Sequence, residues 1–153
     1  MQIVDSHCHI NFDELHKRLP EILENARRND VTHMLCVSLN LEDFPQVKKL
    51  ADDHEHIFAS VGVHPCYEDV KEPTVEELVD IAQDSNIVAI GETGLDYFRC
   101  EDDDMTWQHD LFRTHIRAAI ATDKPLIIHT RSAKEDTIRI LKEENAEKVG
   151  GVI

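Results

Sequence analysis

Short runs of consecutive apolar residues alternate along the chain with longer segments in which apolar residues recur at helical spacing. Uninterrupted apolar runs are typical of strands buried on both faces of a parallel sheet, and apolar residues at i, i+3, i+4 and i+7 are typical of amphipathic helices. The predicted strands are 3–7, 34–37, 57–63, 87–90, 126–128 and the start of another at 150–153. The predicted helices cover 19–26, 47–51, 75–82, 107–121 and 132–145.

Repeated β-α units of this kind build either an open doubly wound sheet or a (β/α) barrel. Polar residues follow the predicted strands at their carboxyl ends, among them His7, Glu92 and His129. Barrel active sites are assembled from the carboxyl ends of several strands. The chain contains no G-x-G-x-x-G or Walker-type loop that would favour a nucleotide-binding open sheet. We therefore predict an α/β fold of the TIM-type (β/α) barrel class, with residues 1–153 as a single domain.

Composition restricts the partners that this chain could bind. Sixteen Lys and Arg against thirty-one Asp and Glu give a net charge of −15, which excludes a broad phosphate-neutralising surface. Phosphate chemistry would then require a local site of opposite sign, and a bound metal is the simplest way to provide one. The apolar runs are too short for a membrane span, and the first residues lack a secretion signal. We expect a soluble, cytoplasmic chain with no membrane partner.

The cysteines and the densest acidic run do not suggest a metal site of their own. Cys8, Cys36, Cys66 and Cys100 form no C-x-x-C pair, which predicts reduced thiols rather than a disulfide framework or a thiolate zinc site. The acidic residues at 101–104 are expected to be solvated loop residues.

A candidate metal-binding pair lies at the end of the first predicted strand. His7 and His9 are two residues apart, so on a strand both imidazoles point to the same face and Cys8 points away. Asp5 has the same parity and could orient one of the ligands. The alternative is a pair of ordinary histidines, and in a chain with ten histidines this spacing alone does not decide.

Two further candidates follow later strands. Glu92 follows the apolar run 87–90 after one glycine, and its two oxygens could bridge two ions; its alternative is an acid in water. His129 closes the fifth predicted strand, or it is a core histidine bonded to backbone. Arg131 offers a planar fork suited to phosphate, or it is a rim ion pair. His64 is a substrate contact or a turn residue before proline.

Imidazole and carboxylate ligands without thiolate suit Zn²⁺, Mn²⁺ or similar ions better than a purely oxygen-ligated Mg²⁺. Two such ions roughly 3.5–4 Å apart can lower the pKa of a water and clamp both oxygens of an in-line phosphoryl displacement. The joint placement of these residues at strand ends therefore predicts a metal-dependent hydrolase.

In this order, the motifs resemble the TatD family of metal-dependent deoxyribonucleases, within the amidohydrolase-like barrels. The resemblance covers the whole chain, and the Gly-Glu-x-Gly-Leu-Asp-Tyr stretch is its most specific part. The matching segments are 5–9, 62–65, 91–97, Gln108 with Phe112, and 125–131.

The resemblance implies a set of metal ligands. His7 and His9 would hold one divalent ion, Glu92 would bridge to a second ion, and His129 would bind that second ion. Glu92 is then the catalytic residue. The implied cofactors are two divalent ions, which could be Zn, Mn or Mg.

The resemblance also implies a substrate. His64, Asp96 and Arg131 match positions at which family members touch or orient substrate. The implied reaction is hydrolysis of DNA phosphodiester bonds, in the manner of a 3′-5′ exonuclease acting on single strands or 3′ ends.

One departure from the family pattern changes the expectation for this chain. The family continues past the Gly-Val-Ile strand with a metal-binding histidine and later with an aspartate that activates the water, whereas this sequence stops at Ile153. A whole barrel needs about 250 residues, so we expect an incomplete barrel, the N-terminal portion with about the first five to six β-α units.

Three interpretations follow from this departure. The chain is the N-terminal part of a working nuclease, an inactive fragment that self-associates or pairs with a partner over its open sheet edges, or a related hydrolase acting on amides or esters. We expect the 153-residue chain alone to bind metal weakly and to cleave DNA far more slowly than a full barrel.

Overall fold

The computed structural model of the chain describes residues 1–67, 70–99 and 104–153. Within these ranges the strands are β1 Ile3–Cys8, β2 Val31–Cys36, β3 Ile57–Val61, β4 Ile87–Asp96, β5 Leu126–Arg131 and β6 Gly151–Val152. The helices are α1 Asp13–His16, α2 Leu19–Arg28, α3 Phe44–Asp53, α4 Val75–Ile81, α5 Thr106–Thr122 and α6 Lys134–Glu143, and a 3₁₀ turn follows at Ala146–Lys148.

All six strands belong to one parallel sheet, in the order β1-β2-β3-β4-β5-β6. A doubly wound sheet reverses its strand order at a switch point, and this sheet does not. The sheet curls into part of a barrel with helices on its outer side, so the predicted incomplete TIM-type (β/α) barrel is confirmed. Because the strands are parallel, their carboxyl ends meet at the same rim.

The core lies between the convex face of the sheet and the helices. Fully buried side chains there come from α4, α5 and the middle strands, including Leu78, Phe112, Ile116, Ile90 and Leu126. A smaller apolar cluster of Val37, Ala89 and Ile127 with Leu35 lies on the opposite, concave face, since successive strand residues alternate between faces.

Several boundaries differ from the predicted ones because hydrogen bonding extends past the apolar runs. β4 continues from the predicted 87–90 to Asp96, paired with β5 through Gly94 and His129. Glu92 and His129 therefore lie within strands rather than after them. β3 instead ends at Val61, which places His64 in the following loop. Helix α1 was not predicted, and α6 begins two residues later than predicted, at Lys134.

The start of α4 agrees with the sequence. The Thr74 hydroxyl accepts from the Glu77 backbone N–H at 3.1 Å, and the Glu77 carboxylate accepts from the Thr74 backbone N–H at 2.9 Å. This reciprocal pair is the capping box that the Thr-x-x-Glu spacing indicates.

Across the described ranges, no helix combines the length and the apolar character that a membrane crossing needs. Cys8 and Cys36 are free thiols, and the Cys66 thiol donates to Asp96 Oδ2 at 3.2 Å. Cys100 lies outside the described residues, as do positions 101–103 of the acidic run.

Candidate metal centre

Glu92 is the centre of a cluster of polar side chains at the carboxyl rim of the sheet. It projects from β4 and is only 9% exposed. Histidines reach it from three other elements: His7 and His9 from the end of β1, His129 from β5, and His64 from the loop after β3. The structure thus brings together the five sequence-predicted residues that carry metal-binding groups or lie beside them.

The first histidine pair faces one oxygen of Glu92. Oε2 lies 3.3 Å from His7 Nε2 and 4.0 Å from His9 Nε2. The two Nε2 atoms are 3.2 Å apart. His9 Nδ1 lies 3.1 Å from the Val37 carbonyl, and since a carbonyl only accepts, Nδ1 carries the proton. In neutral His9 the Nε2 lone pair therefore points into the cluster.

The other oxygen of Glu92 faces His129. Oε1 lies 3.4 Å from His129 Nδ1. On the far side of the ring, His129 Nε2 lies 2.9 Å from Asp96 Oδ2. An ionised carboxylate accepts from Nε2–H, so neutral His129 keeps its Nδ1 lone pair directed at Glu92. Two acceptors that face each other repel unless a proton or a cation lies between them.

His64 also lies near Oε1 but has the opposite tautomer. Its Nε2 is 3.7 Å from that oxygen, and its ring centroid is 4.3 Å from that of His129. The Cys66 backbone N–H donates to His64 Nδ1 at 3.1 Å, so neutral His64 carries its proton on Nε2. Distance alone would group His64 with Glu92 and His129 as ligands. Its inward N–H instead makes it a donor.

Burial favours neutral His9 and His64 around an ionised Glu92, whereas the pKa of His129 is shifted toward its protonated form. Burial lowers the pKa of His64 to about 4 and also lowers the pKa of His9. Burial alone would raise the pKa of Glu92, but the hydrogen bond to His129 and the charges of the surrounding histidines hold it below its usual value. The hydrogen bond to Glu92 raises the pKa of His129. Deprotonated imidazole and carboxylate are the forms that bind metal.

Asp96 holds His129 in place from behind. It is fully buried, and its Oδ1 accepts from the backbone N–H groups of Phe98 and Arg99, each at 3.0 Å. Its Oδ2 also accepts from the Cys66 thiol at 3.2 Å. Burial would raise the pKa of Asp96, but these donors and His129 keep it below its usual value. Asp96 is thus an ionised anchor that orients His129.

Two buried residues of α5 fix the loops of the site. Gln108 donates to the carbonyls of Pro65 and Asp96, both at 3.2 Å, and accepts from the Asp96 backbone N–H at 2.9 Å. His115 accepts from the Val63 backbone N–H at 3.0 Å and donates to the Leu111 carbonyl at 2.8 Å. Neither role was predicted from the sequence. The signal for His115 was its position on the apolar face of α5.

Other predicted residues lie near the rim without contacting Glu92 in any described interaction. Asp5 accepts from the His7 backbone N–H at 3.2 Å, so it supports the strand end rather than an imidazole ring. The Arg131 guanidinium carbon lies 3.9 Å from the centroid of the Phe98 ring. A cavity of about 360 Å³ opens beside Glu92, with Ile127 and Val152 on its wall.

Close approach of the strands makes the cluster compact. A Cβ atom at Gly91 would lie 2.3 Å from the Ile127 carbonyl oxygen, and one at Gly94 would lie 2.0 Å from that of His129. Both glycines have positive φ, +126° and +139°. Only glycine fits this backbone, and the resulting approach of β4 to β5 brings Glu92 to His129.

A model of the TatD related DNase family matches residues 4–153 of this chain. Among curated relatives, a metal-dependent hydrolase of Buchnera aphidicola subsp. Baizongia pistaciae is 38% identical and the hydrolase YcfH of Escherichia coli K12 is 36% identical. Each match covers 100% of this chain and 58% of the relative. The human deoxyribonuclease TATDN3 is 29% identical over 96% of this chain and 58% of its own length. The chain thus spans less than two thirds of these relatives.

Solved structures agree with the fold. The Escherichia coli TatD homologue YjjV superposes with a TM-score of 0.86 at 26% identity, covering 95% of this chain and 57% of that one. A TatD family hydrolase of Entamoeba histolytica gives 0.85 at 23% identity, covering 100% of this chain and 57% of that one.

Proposed function

This chain belongs to the family of TatD related DNases, and from that premise we propose that it supplies the metal-dependent site of a hydrolase that cleaves DNA phosphodiester bonds. One observation carries the proposal. Glu92 meets the lone pairs of His9 and His129 on its two oxygens, within 4.0 and 3.4 Å. These lone pairs and the carboxylate oxygens repel each other when nothing lies between them. A cation between them is attracted to both, which makes the arrangement favourable.

We assign the ligands from this arrangement. His7 and His9 would hold one divalent ion with Glu92 Oε2, and His129 would hold a second with Glu92 Oε1. Zn, Mn and Mg are the candidate ions, and the imidazole-rich set favours the first two. When bound, such ions polarise a phosphoryl oxygen and lower the pKa of a water.

Of the remaining residues, His64 and Arg131 would contact the substrate and Asp96 would orient a ligand. His64 presents Nε2–H toward the space beside Glu92 Oε1, where it can donate to a phosphate oxygen. Asp96 keeps the proton of His129 on the side away from the cluster, so that Nδ1 stays available. Arg131 adds a positive charge at the rim. In a chain of net charge −15, two bound divalent ions together with Arg131 would invert the sign locally, which is what a phosphodiester requires.

We further propose that the substrate is a DNA strand end, trimmed in the 3′-5′ direction. Support comes from the human relative, which is named a deoxyribonuclease, and from the charge of the chain. A surface this acidic repels a long duplex, whereas a strand end can enter the rim site alone.

The test measures cleavage of oligonucleotides by the purified chain. We expect 3′-end shortening of single strands with Mn²⁺ or Zn²⁺ at a rate far below that of a full barrel, loss of this cleavage with EDTA, and no cleavage by Glu92→Ala. A nitrophenyl ester and an anilide serve as competing substrates. Metal-dependent cleavage of either of these without DNA cleavage would favour an amide or ester hydrolase, and cleavage of nothing would favour an inactive fragment.

The sheet edges support a second proposal, that copies of the chain associate. Val4 on β1 is 61% exposed and Val152 on β6 is 55% exposed, and β1 and β6 are the two edges of the sheet. Open edges with apolar side chains favour strand pairing with another chain. Light scattering should give a mass above one chain that falls in Val4→Lys; a monomer at all concentrations would contradict this.

A further inference from the structure

Phe98 is the most exposed phenylalanine of the described ranges, at 66%, and it lies in the turn directly after β4. Its backbone N–H donates to Asp96 Oδ1 at 3.0 Å, and the neighbouring Tyr97 N–H donates to the Arg131 carbonyl at 2.9 Å. The same carboxylate that orients His129 therefore fixes the backbone of this exposed ring. Its position is set by the site rather than by the apolar core.

Arg131 covers one face of the ring. Its guanidinium carbon lies 3.9 Å from the ring centroid, a cation–π distance. Among the described residues, no ion pair joins Arg131 to a carboxylate, although the chain has thirty-one acids. A guanidinium flat on an aromatic ring keeps its N–H edges available for a phosphate, and the ring keeps its other face open.

The pair lies one step from the proposed metal ligands. Arg131 and His129 are on β5, two residues apart and on the same face, which separates them by roughly 7 Å along the strand. Phe98 lies two residues after Asp96 along the chain, in the turn that contacts Arg131. A strand whose phosphate reaches Glu92 would thus bring the adjacent nucleotide to Phe98.

We propose that Phe98, backed by Arg131, is a stacking platform for an unpaired nucleobase next to the scissile phosphate. This inference rests on the proposed function and assigns its substrate class, nucleic acid with unpaired bases at the strand end. A base inside a duplex has both faces covered by its neighbours and cannot stack on the ring. Stacking on an aromatic side chain is tolerant of sequence, so the platform would not select one base.

The test measures binding rather than turnover. Fluorescence anisotropy follows a single-stranded oligonucleotide with uncleavable phosphorothioate links, and a matched oligonucleotide with two abasic sites at its 3′ end. We expect the wild-type chain with Mn²⁺ to bind the base-containing strand about tenfold more tightly, a ratio typical of one stacked base. In Phe98→Ala the two affinities should become equal, because the substitution weakens the binding of the base-containing strand only.

Two variants complete the design. Phe98→Trp should restore the preference for the base-containing strand, and Ile138→Ala, which trims an exposed apolar residue of α6, should behave as wild type. An unchanged ratio in Phe98→Ala would overturn the platform. Equal weakening of both strands, or no binding of either strand by the wild type, would overturn it as well.

The outcomes separate this inference from the proposed function. Base-dependent binding without hydrolysis of cleavable DNA supports the platform and counts against the nuclease. Hydrolysis without base-dependent binding supports the nuclease and overturns the platform.

Discussion

Glu92 is an ionised side chain in a pocket where it is only 9% exposed. A buried carboxylate is costly unless neighbours compensate its charge. Neutral His9 and His129 do this poorly, because they direct lone pairs toward it, and a hydrogen bond from His129 to Glu92 needs a second proton on that ring. The same arrangement is suited to a divalent cation, which both lone pairs and the carboxylate can bind. We therefore predict that metal binding at this site depends strongly on the Glu92 carboxylate.

Replacing Glu92 by Gln keeps its shape and removes its charge. We expect the affinity for Zn²⁺ or Mn²⁺ to fall by at least roughly 10–100-fold, the range for loss of a group that only supports a ligand, because Glu92 is proposed to bind the ions directly. Isothermal titration calorimetry measures the affinity, with Glu55→Gln on the exposed surface as the matched control. Equal affinity in Glu92→Gln and wild type would remove Glu92 from the ligand set.

His115 makes the stability of the fold depend on pH. Burial lowers its pKa to about 4 in the folded chain, against 6.5 for an ordinary histidine. Below pH 6.5 the unfolded chain therefore binds a proton that the folded chain does not, so stability falls as pH decreases toward 4. At pH 5 the loss is about 2 kcal/mol.

Urea unfolding at pH 7.5 and pH 5 tests this contribution. His64 also has a lowered pKa, so the comparison of wild type with His115→Gln isolates the share of His115. Between pH 7.5 and pH 5, the free energy of unfolding should fall by about 2 kcal/mol less in the variant than in the wild type. An identical loss in both proteins would show that His115 does not titrate in this way.

At the scale of elements, apolar periodicity predicted most of the strands and helices but not where they end. Helix α1 has four residues, too few for a helical period to show. β4 extends to Asp96 because its backbone pairs with β5, and this pairing depends on chain segments more than thirty residues apart. Local patterns do not contain that information.

The sequence likewise predicted some features of the candidate site and not others. Parity and strand ends suggested that His7, Glu92 and His129 would meet. The tautomers of the histidines depend on partners such as the Val37 carbonyl, which only the folded chain brings near. Gln108 is polar and gives no sequence signal for burial, yet it is fully buried.

Gln108 joins α5 to two segments of the site, which gives a prediction at this scale. Gln108→Leu removes partners from the Asp96 N–H and from the Pro65 and Asp96 carbonyls. We expect a loss of about 1–3 kcal/mol in the free energy of unfolding, together with weaker metal binding because Asp96 no longer holds His129 firmly.

Chemical denaturation and metal titration measure the two effects. Gln46→Leu, the same change at an exposed position of α3, is the matched control. Full stability in Gln108→Leu would show that these hydrogen bonds do not support the rim.

For the whole molecule, the net charge of −15 limits how the proposed DNA substrate can be bound. With one or two phosphate contacts at the rim, a plot of the logarithm of the binding constant for single strands against the logarithm of the salt concentration should have a slope between about −0.7 and −1.4. Anisotropy between about 50 and 200 mM salt measures it. A slope of about −3 or steeper would require a wider basic surface than this chain has.

The tight crossing of β4 and β5 at Gly91 and Gly94 also sets where this protein can evolve. Any side chain at either position would collide with a carbonyl oxygen of β5, so random libraries at these two codons should return glycine almost without exception. The turn that carries Phe98 has no such restriction. Descendants of this chain that acquire new substrate preferences should therefore differ in their rim turns while the strand backbone beneath stays the same.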